Sequence, residues 1–184
     1  MEYTTTVINL IGGPCCGKST LAAMLYARMK RNGSKVEMVR EVAKEWVWAG
    51  RKIGPFEQLA ILGEQIHKES ALYGKVEYVV TDSPVLLGAF YLDNNHDEVF
   101  AKRFVKDFYN FSKRKGVRYI NVVLPRKDLY QQDGRLETHD QAKELDFRIM
   151  EYLEDDWYDY TVYPKVLSDE QIITRIRSEE HTSE

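Results

Sequence analysis

A glycine-rich stretch near the amino terminus constrains the fold of this 184-residue chain more than any other feature. It reads Gly-Gly-Pro-Cys-Cys-Gly-Lys-Ser over residues 12–19 and matches the pattern G-x-x-x-x-G-K-[ST] at every fixed position. An apolar run precedes it, and Leu21, Leu25 and Met29 follow at helical spacing. A loop between a strand and a helix presents backbone N–H groups to a polyphosphate. We therefore predict that residues 12–19, here named the phosphate loop, bind the phosphates of a nucleotide.

The residue types of the phosphate loop fit Mg²⁺-ATP. A lysine at position 18 can reach the β- and γ-phosphates, and the Ser19 hydroxyl can bind the Mg²⁺ that bridges them. We interpret Cys15 and Cys16 as small side chains that fill a tight loop, because adjacent cysteines lack the spacer of a redox pair. The predicted ATP-binding residues are Gly12, Gly13, Pro14, Cys15, Cys16, Gly17, Lys18, Ser19 and Thr20.

Short apolar runs rich in β-branched residues alternate with longer segments of helical period. This alternation predicts an α/β fold, a five-stranded parallel sheet with helices on both faces. The predicted strands are 5–11, 35–40, 77–81, 119–124 and 160–163, and the predicted helices after the first are 42–48, 55–72, 98–114 and 138–153. We expect a single domain over residues 1–177, with a frayed or unstructured tail at 178–184.

The net charge is only −3, too small to indicate a polyanionic partner by itself. Its distribution is uneven, since residues 1–127 carry 20 basic and 13 acidic side chains and residues 128–184 carry 6 and 16. Between positions 102 and 118 the sequence has seven basic residues and a single acidic one, Asp107. This segment is either a solvated helix face or a surface for nucleic acid, so nucleic acid stays a candidate partner.

Two further features bear on location. No apolar run approaches the roughly 20 residues that a membrane-spanning helix needs, and the first residues lack the pattern of a signal peptide. The only cysteines are adjacent, which favours a reducing compartment over a disulfide-bonded protein. We expect a cytoplasmic protein, in the host cytoplasm if the source is viral, without a membrane partner. The oligomeric state stays open, with a homodimer as one option.

Two carboxylates follow predicted strands. Asp82 ends the third strand, where a carboxylate can hold Mg²⁺ beside the phosphates, although it could instead be a turn former. Glu41 follows the second strand and should face the same crevice, because ligands bind at the carboxyl ends of parallel strands. There it could take a proton from an attacking hydroxyl. The alternative is a glutamate that only stabilises a helix N-terminus.

These features resemble a known family. The phosphate loop, the Glu-Val-Ala-x-x-Trp segment at 41–46 and the strand end Thr81-Asp82-Ser83 together resemble the deoxynucleoside kinases and the nicotinamide riboside kinase-like P-loop ATPases. Gly-Gly-Pro before Gly-Lys-Ser is also similar to small kinase-like ATPases that phages often encode. The resemblance implies that Glu41 is the general base and that Trp46 belongs to the substrate pocket. The chain departs at Ser83, where those kinases commonly carry an arginine.

The resemblance also implies a mobile lid after the fourth strand, at about 125–140, whose arginines neutralise charge on the transferring phosphoryl group. Arg126 and Arg135 are the candidates, with an ordinary surface position as the alternative for each. Aromatic rings could stack on a base and an amide could read its edge, although core packing is the alternative for the aromatics. The predicted acceptor-binding residues are Trp46, Phe56, Gln65 and Tyr91, and Trp48 and Asn94 lie in the same segments.

The predicted function is an ATP- and Mg²⁺-dependent kinase that transfers the γ-phosphoryl group to a hydroxyl of a nucleoside- or nucleotide-like acceptor, with a phosphate of the acceptor as the alternative receiving group. One alternative acceptor is a hydroxymethylated base in DNA. A second alternative is a regulatory nucleotide-binding ATPase without a small-molecule acceptor. The sequence lacks the Asn-Lys-x-Asp segment that reads guanine in GTP-binding switches.

Overall fold

The sheet has the predicted parallel architecture. A computed structural model describes residues 4–93, 100–126, 139–154, 158–164 and 168–181. Neighbouring strands all pair in parallel, in the order β2-β3-β1-β4-β5. The strands are β1 Thr5–Ile11, β2 Val36–Val39, β3 Tyr78–Thr81, β4 Val117–Val123 and β5 Thr161–Val162. The predicted five-stranded parallel sheet is confirmed.

Strand β1 is the centre of the sheet. Ile8 aligns with Val80 on one side and with Ile120 on the other. The strand is apolar and almost completely buried, as expected for a parallel strand covered on both faces. The carboxyl ends of β1, β2 and β3 therefore lie at one edge of the sheet, and the phosphate loop, Glu41 and Asp82 follow these three strands.

Helices cover both faces of the sheet. They are α1 Lys18–Arg31, α2 Val42–Trp48, α3 Pro55–Ser70, α4 Val85–Asp93, α5 Phe100–Arg114, α6 His139–Leu153 and α7 Asp169–His181. Helices α1 and α7 share one apolar core, which includes Ile8, Leu25 and Ile173. Helices α3, α4, α5 and α6 contribute to a second core that includes Leu62, Val105 and Ile149. The longest described helix has 16 residues, and none in the described ranges is long and apolar enough to cross a bilayer.

Two of these helices were missing from the prediction. Seven of the nine residues of α4 are buried, so the helix has no polar face from which a helical period could be recognised. Helix α7 runs to His181 and so takes in four residues of the segment that we expected to be unstructured. Ile172, Ile173 and Ile176 anchor α7 in the core beside α1. Most of the expected lid, residues 127–138, lies outside the described residues.

The core beside α3 contains a buried carboxyl group. Glu69 is fully buried, and its Oε1 accepts a hydrogen bond of 2.5 Å from the Tyr73 hydroxyl. Its other oxygen has no hydrogen-bond partner among the described residues. Burial raises the pKa of Glu69 from 4.5 to about 7, against the opposite effect of the Tyr73 hydrogen bond. A carboxylic acid with this pKa is protonated in mildly acidic solution.

Candidate active site

The phosphate loop packs closely against β4 and α6. A Cβ atom at Gly12 would lie 2.8 Å from the carbonyl oxygen of Leu124, and the φ of Gly12 is 151°. A Cβ atom at Gly13 would lie 2.1 Å from Oδ1 of Asp146. Positions 12 and 13 therefore require glycine for space, and position 12 also for its backbone conformation.

Lys18, the first residue of α1, is held at the loop. Its Nζ donates hydrogen bonds to the carbonyl oxygens of Gly12 (2.7 Å) and Gly13 (2.8 Å). These contacts place the ammonium group beside the backbone that precedes the helix, while the exposed Ser19 and Thr20 begin the first turn of α1. The arrangement concentrates positive charge where a polyphosphate would meet the helix N-terminus.

Arg126 joins the phosphate loop to α6. Its guanidinium binds both carboxylate oxygens of Asp146, at 2.7 Å from Nε and 3.0 Å from Nη2. Nη1 donates to the carbonyl oxygen of Pro14 (2.7 Å), and Nη2 also donates to that of Ala142 (3.0 Å). Only 8% of Arg126 is exposed. The structure therefore places this predicted lid arginine under the loop, as a brace between the loop and α6, and Arg135 lies outside the described residues.

Cys16 is chemically unreactive in this environment. Cys16 is buried, and its Sγ lies 3.7 Å from Oδ1 of Asp146 in a hydrogen bond. Burial raises the pKa of the Cys16 thiol to about 11, although Lys18 opposes the shift. A thiol with this pKa is protonated near neutral pH and is a poor nucleophile. Cys15 has a φ of 63° and contributes an unusual backbone conformation to the loop.

A cavity of about 410 Å³ opens beside the loop at the carboxyl edge of the sheet. Its size is in the range of small-molecule sites. It brings together three of the predicted residues, Ser19, Glu41 and Asp82, from three different segments. The described residues that line it are Ser19, Ala23, Met38, Arg40, Glu41, Lys44, Glu45, Trp48 and Asp82.

Asp82 has the properties of a cation ligand. It is 6% exposed, and its Oδ1 has no hydrogen-bond partner among the described residues. The adjacent turn does not use it, because the Ser83 N–H donates to the Thr81 hydroxyl instead (3.1 Å). A buried carboxylate oxygen without a partner is costly unless a cation binds it. Asp82 and the Ser19 hydroxyl together offer the hard oxygen ligands that suit Mg²⁺.

Glu41 does not cap α2 with its side chain. It is the N-cap residue of this helix, but its carboxylate makes no capping hydrogen bond. The side chain lines the cavity together with Ser19 and Asp82. Glu41 is therefore placed to face a ligand in the cavity, and its charge at the N-terminus of α2 also interacts favourably with the helix dipole.

The four predicted acceptor-binding residues are not among the described residues that line the cavity. They are Trp46, Phe56, Gln65 and Tyr91. Trp46 is on another side of α2, where its Nε1 approaches Glu64 (3.4 Å) and its ring lies under Arg51 (4.8 Å). Gln65 is buried, and its side-chain oxygen accepts the N–H of Val42 at 3.1 Å, which positions the start of α2.

Phe56 is 89% exposed at the start of α3. Tyr91 packs edge-on against Phe90, with ring centroids 5.3 Å apart. Neither Trp46 nor Gln65 nor these two side chains are among the described residues that line the cavity. Asn94 lies outside the described residues.

The cavity instead uses a side of α2 that the sequence analysis missed in part. Glu41, Lys44, Glu45 and Trp48 line it together. They follow one another at i, i+3, i+4 and i+7, the spacing of one helix face. Starting this pattern at Glu41 would have selected Trp48 over Trp46 and identified Lys44, since residues 41 and 46 lie on different faces.

Helix α5 carries the basic segment on its outer side. The exposed basic side chains there include Arg103, Lys113 and Arg114. Large aromatic side chains are exposed on the same helix, with exposed fractions of 65% at Phe100, 49% at Phe104 and 53% at Phe111. Exposed aromatic rings among cations are a surface type that binds single-stranded nucleic acid.

Comparisons with known proteins agree with this architecture. The model of the AAA domain family matches residues 7–170. No curated protein sequence matches the chain. Three similar solved structures are kinases with P-loop folds, which confirms the fold class and the resemblance that the sequence predicted.

The first of these, deoxyadenosine kinase from M. mycoides with bound dATP, has a TM-score of 0.61 and 16% identity, covering 95% of this chain and 98% of that chain. Thymidylate kinase from Candida albicans has a TM-score of 0.62 and 14% identity, with coverages of 99% and 92%. An APS kinase from Mycobacterium tuberculosis has a TM-score of 0.59 and 9% identity, with coverages of 96% and 98%. At these identities the likeness concerns the fold.

Proposed function

The chain belongs to the AAA domain family, and on that premise we propose that it is an ATP- and Mg²⁺-dependent kinase. The acceptor is a hydroxyl group of a nucleoside- or nucleotide-like molecule. The observation that carries the proposal is the cavity of about 410 Å³ that unites Ser19 of the phosphate loop, the buried Asp82 and Glu41. A phosphate-binding loop alone would serve any nucleotide-binding protein. A carboxylate across a small-molecule cavity from that loop is what a phosphoryl transfer to a hydroxyl needs.

The chain's own groups divide the work. The loop amides and Lys18 bind and orient the ATP phosphates, and Glu41 orients the acceptor hydroxyl and takes its proton. The bond between the γ-phosphorus and the bridging oxygen of ADP breaks, and a bond from the γ-phosphorus to the acceptor oxygen forms. Bound at Ser19 and Asp82, Mg²⁺ would neutralise phosphate charge.

The buried position of Arg126 assigns it a positioning role, because its guanidinium holds the carbonyl oxygen of Pro14 in the loop. Neutralisation of the transferring group by Arg126 or Arg135 stays a prediction. The names of the similar structures, a deoxyadenosine kinase and a thymidylate kinase, support an acceptor of the nucleoside or nucleotide class. We also propose a reducing, cytoplasmic setting, which suits two cysteines that form no disulfide with each other.

Two substitutions test the assignment. Lys18→Ala should abolish transfer and weaken ATP binding, because the cation at the phosphates is lost. Glu41→Gln should keep ATP affinity and lower the transfer rate about a hundredfold or more, the usual contribution of a general base. Calorimetric ATP titration and a coupled assay for ADP measure the two quantities.

Glu37→Gln is the matched control, since this β2 carboxylate pairs with Lys30 (2.9 Å) away from the cavity. Unchanged ATP binding in Lys18→Ala would contradict the nucleotide site. Unchanged transfer in Glu41→Gln would remove Glu41 from the mechanism and leave the nucleotide site intact.

A second candidate acceptor is a hydroxymethylated base in DNA. The exposed cations and phenylalanines of α5 favour it, because they could hold a strand by phosphate contacts and base stacking. Phosphorylation of hydroxymethylated DNA without phosphorylation of free nucleosides or nucleotides would establish this candidate. ATP hydrolysis that no acceptor stimulates would instead support a regulatory ATPase.

A further inference from the structure

We propose that the acceptor is itself anionic, a nucleoside monophosphate whose phosphate group binds Arg40 and Lys44. This inference rests on the proposed function and specifies its acceptor. The chemistry of transfer is unchanged, since the hydroxyl that receives the phosphoryl group still faces Glu41. The added claim is that a second phosphate, already present on the acceptor, binds these two cations of the cavity.

Arg40 and Lys44 are close in the sequence and line the same cavity. Arg40 follows β2, and Lys44 is in the first turn of α2, three residues after Glu41. Both line the cavity that contains Ser19 and Asp82. Neither forms an ion pair with any carboxylate of the described residues. Their charges are thus available to a ligand in the cavity.

The carboxylates of the cavity do not offset these cations. Glu45 is already paired, because its Oε2 accepts a hydrogen bond of 2.7 Å from Lys68. Asp82 is assigned to Mg²⁺ together with Ser19, and Mg²⁺ would also neutralise its charge. Glu41 is the remaining carboxylate, against two cations. With Mg²⁺-ATP at the loop, Arg40 and Lys44 therefore favour an anion.

The rest of the lining suits a nucleotide. Met38 and Ala23 supply apolar surface, and Trp48, which also lines the cavity, is 74% exposed. An indole ring so placed can stack on a base. A carboxylate for the hydroxyl, an aromatic ring for the base and a cation pair for the phosphate then lie in one cavity. A neutral nucleoside would use the first two features and leave both cations without a counter-charge.

Calorimetric titration in the presence of Mg²⁺-ADP tests the inference without turnover. The probes are the four deoxynucleosides, their 5′-monophosphates and a ten-residue oligothymidylate without a terminal phosphate. At least one monophosphate should bind about tenfold or more tightly than its nucleoside, as expected for charge-assisted hydrogen bonds. Arg40→Gln and Lys44→Gln should each remove most of this difference and leave nucleoside affinity unchanged. Because Arg40 is exposed and Lys44 is half-buried, neither change should impair folding.

Lys52→Gln is the control for a general loss of positive charge, since Lys52 is exposed and does not line the cavity. Equal affinity of nucleosides and monophosphates, or monophosphate binding that survives both substitutions, would overturn the inference. The inference would also be overturned if the protein bound oligothymidylate but no monophosphate, and if Arg40→Gln and Lys44→Gln abolished that oligothymidylate binding. Phosphorylation of nucleosides by the wild-type protein as efficiently as of their monophosphates would overturn the inference and leave the kinase assignment intact. Monophosphate binding through the two cations without any transfer would uphold the monophosphate-binding site and refute the kinase.

Discussion

Glu69 shows how one buried side chain can set the pH dependence of folding. Its pKa is raised to about 7 by burial, whereas an unfolded chain would titrate it near 4.5. Between these values the folded protein holds a proton that the unfolded chain has released. Stability should therefore fall as the pH rises through this window, and the fall should stop above the pKa of the folded state.

We predict that Glu69→Gln removes this dependence, because an amide of similar shape carries no titratable proton. The wild-type free energy of unfolding should decrease by about 3 kcal/mol between pH 4.5 and 7, the value of a shift of this size. Urea unfolding at a series of pH values measures it. The exposed Glu144 on α6 provides the control Glu144→Gln, which should keep the wild-type slope. Identical slopes for wild type and Glu69→Gln would contradict the buried neutral acid.

At the scale of elements, the Arg126–Asp146 pair determines how the phosphate loop sits on α6. Asp146 binds the guanidinium through both oxygens, and the same guanidinium holds Pro14. Gly13 leaves the space that the Asp146 carboxylate occupies. The phosphate loop, Arg126 and α6 therefore form one packed unit. We expect a substitution on α6 that disturbs this unit to change the affinity for ATP.

We predict that Asp146→Ala destabilises the fold by about 3 kcal/mol, because it leaves the buried guanidinium without its counter-charge. ATP affinity should also fall, since the contact that orients Pro14 is weakened. Urea unfolding and ATP titration measure the two effects. Asp140→Ala is the control on the same helix. Asp140 pairs with Lys143, and their side chains are 94% and 57% exposed, so this pair should contribute under about 0.5 kcal/mol to the free energy of unfolding. Equal effects of the two substitutions would show that the pair does not brace the loop.

The elements also show where sequence reasoning succeeds. The position of the phosphate loop between β1 and α1 and that of Asp82 after β3 were predictable, because both follow from local sequence patterns. The contacts of Arg126 were not, since Asp146 lies 20 residues away and only the fold brings the two together. Trp46 was predicted for the pocket because its spacing from Glu41 resembles a family pattern. The rotation of α2 instead directs Trp48 toward the cavity.

For the whole molecule, alternating apolar runs and helical periods were enough to predict the parallel sheet. Helix α4 was missed because burial on nearly all sides removes the amphipathic period. Helix α7 was missed because its stability comes from three isoleucines packed on α1, a tertiary contact that the polar composition around them obscures. The uneven charge was visible in the sequence, but only the structure shows exposed aromatic side chains on the same helix as the basic segment.

The basic side chains of α5 predict how the affinity of the protein for nucleic acid depends on salt. If α5 binds a strand, affinity for single-stranded DNA should fall steeply with salt, because phosphate contacts release counterions. Arg103→Gln combined with Arg114→Gln should reduce the slope of log affinity against log salt concentration by the contribution of about two phosphate contacts. Phe104→Ala should weaken DNA binding and leave this slope unchanged. Fluorescence anisotropy over a salt series measures both. The controls Glu151→Gln and Glu154→Gln, at exposed residues in the acidic segment 128–184, should have little effect on DNA affinity. Salt-insensitive or undetectable binding would remove nucleic acid as a partner of α5.

The fate of the γ-phosphoryl group tests the central claim most directly. The protein is incubated with Mg²⁺ and ATP labelled at the γ-phosphorus, with deoxynucleosides, their monophosphates or hydroxymethylated DNA, and the products are separated. We predict that label moves from ATP into one acceptor in a one-to-one ratio with ADP, and that Lys18→Ala abolishes the transfer. Label that appears only as inorganic phosphate, at a rate that no acceptor changes, would contradict the assignment of this protein as a kinase.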